Sequence, residues 1–124
     1  MKPILAADDC PVLQRVVPRV LGSLGISCVM VKDGREAVSE VHSHGSDFMA
    51  VLLDVDMPHM DGIAAAVEIR RAAPDLPILF LTASDLETVM RRLPRGFRAE
   101  FLMKPFRISE LADAISGLLG VAQS

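Results

Sequence analysis

Five short apolar runs, Ile4–Ala7, Cys28–Val31, Phe48–Leu53, Ile78–Leu81 and Phe101–Met103, are separated by longer segments of helical character. Each run is only a handful of residues. Three are nearly unbroken apolar, which suits strands covered on both faces. The segments between them carry helix signals. Asp33 stands three residues before Glu36, ahead of Ala37, Val38 and Val41, in an Asp version of a capping box. Ser84 and Glu87 match the standard box, and Ser109 is placed to cap the last segment. There Ile108, Leu111, Ala112, Ile115, Leu118 and Leu119 recur at helical intervals and make one apolar face. Strand–helix alternation of this kind predicts an α/β domain, a parallel sheet with helices on both sides. One segment opposes its own assignment. Pro11 suits a first helical position, but Pro18 falls inside the Val12–Leu24 pattern, where it removes a backbone bond and crowds the Gln14 carbonyl, at about 3 kcal/mol or more. A kinked or interrupted first helix is expected.

A chain of 124 residues, 51% hydrophobic, is the size of one domain and can bury a core without staples. The expectation is a single domain over 1–124, with no repeat or linker and with a natural polar ending at Ala122-Gln123-Ser124. A net charge of -3 offers no general attraction to nucleic acid or anionic membrane. No apolar run approaches the roughly 20 residues needed to span a bilayer. Cys10 and Cys28 are too few for a disulfide scaffold and read as reduced thiols, Cys28 as a small core residue. These features point to a cytoplasmic protein.

Ligands of open parallel sheets bind beyond the carboxyl ends of the strands. The first apolar run leads into Asp8-Asp9, the third into Asp54, the fourth into Thr82 and the fifth into Lys104-Pro105. Three carboxylates, a hydroxyl and an ammonium therefore gather at one edge. Magnesium takes hard oxygen ligands and needs only one or two carboxylates besides water and phosphate oxygens; Asp9 and Asp54 can supply them. Without a cation, clustered carboxylates raise one another's pKa. Lys104 can meet a phosphoryl oxygen and Thr82 can donate to another, and a carboxylate can be the nucleophile that forms an acyl phosphate. Each feature alone has an ordinary explanation, Asp8-Asp9 as a helix start and Asp54 as a turn residue. Together, on four strand ends, they point to a phosphoryl site.

Asp8-Asp9, the run Asp54-Val55-Asp56-Met57-Pro58-His59-Met60-Asp61-Gly62, Thr82-Ala83, and Phe101-Leu102-Met103-Lys104-Pro105-Phe106 resemble, in order, the signature set of response-regulator receiver domains. The resemblance implies a flavodoxin-like, doubly wound sheet of order 2-1-3-4-5 with five helices. It implies that Asp54 is the phosphoacceptor, charged by a histidine kinase or histidine phosphotransfer protein. Asp9, Asp54 and the Asp56 carbonyl would bind Mg2+, with Asp8 acting mainly through water. Lys104 would contact the phosphoryl group, Thr82 would move to hydrogen-bond it, and Phe101 would turn inward as the aromatic switch. Asp56 stands where the family commonly has a neutral residue and would tune hydrolysis. Such a chain is no enzyme beyond its own phosphorylation and dephosphorylation, a monomer or weak dimer whose downstream target the sequence does not name. Asp61 is expected to cap the third helix. The segment Gly96-Phe97-Arg98-Ala99-Glu100-Phe101 departs from the family's frequent Gly-Ala, as does Pro18 in the first helix.

Two rival readings exist. Asp54-Val55-Asp56 also resembles the nucleophile motif of haloacid-dehalogenase-type phosphatases, but those carry it on the first strand, with the acidic pair late in the chain. A phosphorylation-independent interaction module would not need Asp54, Thr82 and Lys104 together. Arg91, Arg92, Arg95 and Arg98 read as a solvated helix face before a docking patch, and His42 and His44 as exposed helix-end residues before a metal site. His59 has no assigned role.

Overall fold

In the computed structural model, which describes residues 2–120, the elements alternate throughout. They are β1 (Ile4–Ala7), α1 (Pro11–Ser23), β2 (Cys28–Val31), α2 (Gly34–His44), a 3-10 turn (Gly45–Asp47), β3 (Ala50–Asp54), α3 (Gly62–Ala72), β4 (Ile78–Thr82), α4 (Leu86–Arg92), β5 (Glu100–Met103) and α5 (Ile108–Leu118). The polar ending Ala122-Gln123-Ser124 lies outside the described residues. The strands form one parallel sheet of order β2-β1-β3-β4-β5, the order expected.

Side-chain alternation explains why the strands read as unbroken apolar. Leu5, Ala7, Val51, Leu53, Ile78 and Phe80 face one way and pack with Ala37 and Val41 of α2, Ile63, Ala66 and Ile69 of α3 and Val89 of α4. Ile4, Ala6, Ala50, Leu52, Leu79 and Leu81 face the other way, onto Val17, Val20 and Leu21 of α1 and Leu111 and Ile115 of α5. A central strand thus has no solvent face on which a polar residue could sit. β1, β3 and β4 are buried along their whole length, and the edges β2 and β5 are only partly covered.

The structure corrects several expectations. α1 is not interrupted: it runs from Pro11 through Pro18 to Ser23, and Val17, Val20 and Leu21 bury one face against the sheet, which offsets one lost backbone bond. β3 starts at Ala50, not Phe48; Phe48 is buried just after the 3-10 turn. β3 and β4 each extend one residue further than expected, so Asp54 and Thr82 are the last strand residues, and β5 begins at Glu100. Asp33 and Asp61 cap α2 and α3 as expected, accepting from the Glu36 and Ala64 amides. Ser84 does not cap α4. Asp85 does, accepting from the Thr88 amide at 2.8 Å, while the Ser84 amide donates to Thr82 Oγ1 and leaves no donor for Glu87 to close a box. Ser109 lies inside α5, where Glu110 accepts from the Arg107 amide at 2.7 Å.

Candidate phosphoryl and metal site

Parallel pairing carries each site residue to the same edge. The Asp8 amide donates to the Val31 carbonyl at 3.2 Å, which prolongs the β1–β2 ladder by one step and fixes where Asp8 leaves the sheet. Asp54 pairs with Leu81 in register, so Thr82 stands one residue beyond it. The Lys104 amide donates to the Thr82 carbonyl at 2.7 Å, which sets Lys104 level with the end of β4. The Lys104–Pro105 peptide, which follows β5, is cis.

The electrostatics follow from burial. Asp8 is 1% exposed and Asp54 4%, while Asp9 and Asp56 are exposed. Lys104 Nζ lies 3.1 Å from Asp54 Oδ1 and 3.6 Å from Asp8 Oδ2. One ammonium thus faces two buried carboxylates. Burial first, and the Asp8 charge second, push the Asp54 carboxyl up to about 6, although Lys104 pulls the other way. Burial likewise raises the Asp8 carboxyl, against the hydrogen bond from the Cys10 amide at 2.8 Å to its Oδ1. Burial alone would lower the Lys104 ammonium, but its hydrogen bond to Asp54 and the charge of Asp8 outweigh that and raise it. Asp8 Oδ2 is buried and accepts no hydrogen bond. An anionic oxygen so placed has a deficit that an added cation would satisfy.

Ligand oxygens of Asp8, Asp9 and Asp54 lie within 4.8 Å of one another, and this is the only such acidic, histidine or cysteine group among the described residues. The donor set is all hard oxygen, which fits magnesium and does not favour zinc. The Asp56 side chain is outside this group; its amide approaches Asp54 Oδ1 at 3.4 Å. Thr82 is fully buried next to Asp54, with its hydroxyl committed to the following loop, accepting from the Ser84 amide at 2.9 Å. Phe101 stands away from the edge and stacks on Phe80 at 5.4 Å between centroids. A depression of about 370 Å³ lined by Leu13, Ala83, Lys104, Pro105 and Phe106 opens beside the ammonium.

Other supports have no signature in the sequence. A Cβ on Gly62 would lie 2.2 Å from the Asp54 carbonyl oxygen, and one on Gly34 would lie 2.3 Å from that of Met60. β3 and the loop after it therefore press directly on the first turns of α3 and α2. His59 has φ 66, and the Met60 amide turns back to the Pro58 carbonyl at 2.7 Å, a tight and strained turn in the loop after Asp54. Arg92 pairs with Asp61 and Arg91 with Glu87, so two of the four arginines are engaged within the chain. Arg70 donates to the carbonyls of Pro74, Leu76 and Arg98 and lies over the Phe97 ring at 5.0 Å, tying α3 to the approach to β5. Phe97 itself lies 6.5 Å from Phe80, so the unusual segment before β5 adds an aromatic beside the Phe80–Phe101 stack. His42 and His44 are exposed at the end of α2 and belong to no metal group among the described residues.

The fold and site define a doubly wound α/β domain with an acidic cluster and one lysine at the carboxyl edge of its sheet. The description "Response regulator receiver domain" matches residues 4–116, and the chain belongs to that family. It is 39% identical over 119 residues to the response regulator MprA of Mycolicibacterium vanbaalenii, covering 94% of this chain and 49% of that one. It is 33% identical over 113 residues to the sensor histidine kinase RcsC of Salmonella typhi, covering 91% of this chain and 12% of the kinase. The chain thus spans about half the length of the curated response regulators it matches. Among solved structures, the receiver domain of the sensor histidine kinase PA1611 from Pseudomonas aeruginosa superimposes with a TM-score of 0.84 at 32% identity, over 96% of this chain and 98% of that one. That domain carries a magnesium ion in its active site cleft. The chemotaxis protein CheY4 of Vibrio cholerae gives a TM-score of 0.85 at 26% identity, over 96% of this chain and 99% of that one. Among the described residues no helix is long and apolar enough to cross a membrane.

Proposed function

We propose that this receiver domain is a phosphoacceptor switch with Asp54 as its acceptor, charged by the phosphohistidine of a histidine kinase or histidine phosphotransfer protein. The observation that carries the reading is Asp54 itself, a buried carboxylate touching Lys104, beside a second buried carboxylate with an unsatisfied oxygen. Such a pair is poorly stable as it stands and suits a site completed by a cation and a phosphoryl group.

Asp9 and Asp54, with the Asp56 carbonyl, would hold magnesium directly, and Asp8 would act through water. Bound there, magnesium would neutralise the carboxylates and phosphoryl oxygens that otherwise repel each other. An Asp54 oxygen attacks phosphorus, the P–N bond to the donor imidazole breaks, and the imidazole keeps the electron pair and takes a proton from water. An acyl phosphate results. Lys104, relieved of its contact with the free carboxylate, turns its charge to a phosphoryl oxygen. Thr82 moves to donate its hydroxyl proton to another phosphoryl oxygen, giving up the Ser84 amide, and the space it leaves lets Phe101 turn inward from Phe80. Water later cleaves the phosphoryl group, so the chain acts on its own modification and turns over no other substrate. The unit is read as one receiver domain working in the cytoplasm as a monomer or weak dimer, with protein partners and neither nucleic acid nor membrane; Cys10 and Cys28 are free thiols, as that compartment favours.

Acetyl phosphate with magnesium should label Asp54, as read by mass spectrometry after trapping the acyl phosphate. Label that persists in Asp54→Ala would refute the assignment.

A further inference from the structure

Asp8 is buried and Asp9 exposed, yet their carboxylates approach a common point. For adjacent side chains at a strand end, the orientation of the peptide between them helps to decide whether they can do so. The carbonyl of that peptide belongs to Asp8 and lies beyond the last β1–β2 rung, and no backbone amide among the described residues donates to it. Its partner is a side chain. Gln14 Nε2 donates to the Asp8 carbonyl oxygen at 2.8 Å. Gln14 is half-buried in the first turn of α1, and its own amide makes the bond to the Cys10 carbonyl at 2.9 Å that starts the helix. The turn from Asp8 to Gln14 is therefore fixed at three points: the Cys10 amide on Asp8 Oδ1, the Gln14 amide on Cys10, and the Gln14 side chain on Asp8.

Pro18 gives Gln14 a second distinction. The amide that would bond the Gln14 carbonyl in a regular helix is that of residue 18, and proline has none. The rung of α1 that would hold the Gln14 carbonyl from behind is missing, which gives more weight to its amide bond to Cys10 and its side-chain bond to Asp8.

We infer that Gln14 is a positioning residue of the acidic site: its carboxamide sets the Asp8–Asp9 peptide plane, and through it the geometry in which Asp9 meets a cation. The inference rests on the metal-assisted reading proposed above. It makes α1 a mechanical part of the site, since a shift of its first turn moves the Asp8 carbonyl and with it Asp9.

The test is magnesium titration of the full chain, followed by amide chemical shifts of Asp9 and Cys10, with melting in EDTA as the measure of packing. Gln14→Met keeps the length of the side chain and removes the donor; Gln14→Arg keeps a donor. The bond forms without a cation, so Gln14→Met should lower melting in EDTA by a few degrees and, by freeing the Asp8–Asp9 peptide, weaken magnesium binding about fivefold. Gln14→Arg should stay within about twofold of wild type. Magnesium affinity unchanged in Gln14→Met, while Asp9→Ala loses binding, would overturn the inference and leave the site reading standing. Equal losses in both Gln14 variants, matched by equal destabilisation in EDTA, would make Gln14 a packing residue and overturn it as well. Magnesium shifts that are identical in wild type and Asp9→Ala would overturn both readings.

Discussion

Replacing Asp54 by Asn should stabilise the metal-free protein at neutral and alkaline pH. The Asp54 carboxyl is raised from 3.8 to about 6 by burial and by the Asp8 charge, even with Lys104 at 3.1 Å. A difference of about two units, at 1.36 kcal/mol each, makes the ionised group roughly 3 kcal/mol less favourable in the folded chain than in the unfolded one. Because the folded value lies above the unfolded one, the penalty is full above about pH 6 and gone below about pH 4. Asn keeps the shape and one oxygen for Lys104 but carries no charge, so it mimics the protonated form. The gain should be about 1–3 kcal/mol at pH 8, or about 4–10 °C in melting temperature for a domain this size. Melting by circular dichroism in EDTA, wild type against Asp54→Asn from pH 4 to 8, reads this site, since groups distant from it cancel in the difference and only Asp54 with its coupled neighbours Asp8 and Lys104 remains. The gain should shrink steadily towards pH 4, and magnesium at pH 8 should reduce it by stabilising only the wild type. A variant no more stable than wild type at pH 8, or a gain independent of pH, would refute the reasoning.

Magnesium should raise the melting temperature of the wild type by mass action, and Asp9→Ala should abolish that rise; an unchanged rise places the ion elsewhere. The exposed Asp56 carboxylate, two residues beyond Asp54, should orient the hydrolytic water, so Asp56→Asn should lengthen the life of the proposed acyl phosphate several-fold. First-order decay of labelled protein measures this, and decay as fast as wild type would assign Asp56 to the metal loop alone. Gly62→Ala should cost about 2–4 kcal/mol in urea denaturation, because its Cβ would meet the Asp54 carbonyl oxygen at 2.2 Å. A midpoint equal to wild type would mean that α3 can retreat freely from β3.

Much of the fold was legible because a doubly wound sheet leaves its central strands no solvent face. β1 and β2 have the bounds that their apolar runs suggest. Phe48 misled because a buried residue leading into a strand has the same composition as the strand. Ser84 misled because it stands beside Asp85, and both spacings, Ser84 to Glu87 and Asp85 to Thr88, satisfy a cap. The chain enters α4 one residue later than the box implied, with the Ser84 amide turned back to Thr82 Oγ1. Pro18 was judged by its local cost, which burial along α1 outweighs. The site was legible where each residue ends an apolar run, as Asp8, Asp54, Thr82 and Lys104 do. Gln14, Arg70 and Gly34 gave no signal, since each acts on a backbone carbonyl that only folding brings within reach.

The position of Lys104 in the chain, 50 residues after Asp54, has a consequence for the newly made protein. Synthesis delivers Asp8, Asp9, Asp54 and Thr82 first and their ammonium last, and domains fold as they emerge. The sheet order lets β2, β1, β3 and β4 associate before β5 joins the open edge. At that stage two carboxylates destined for burial face each other with no counter-charge of their own, and their repulsion keeps this edge loose. Docking of β5 closes it and supplies the charge in one step. A nascent chain that has not yet released Lys104 is therefore expected to take up a phosphoryl group poorly until β5 docks.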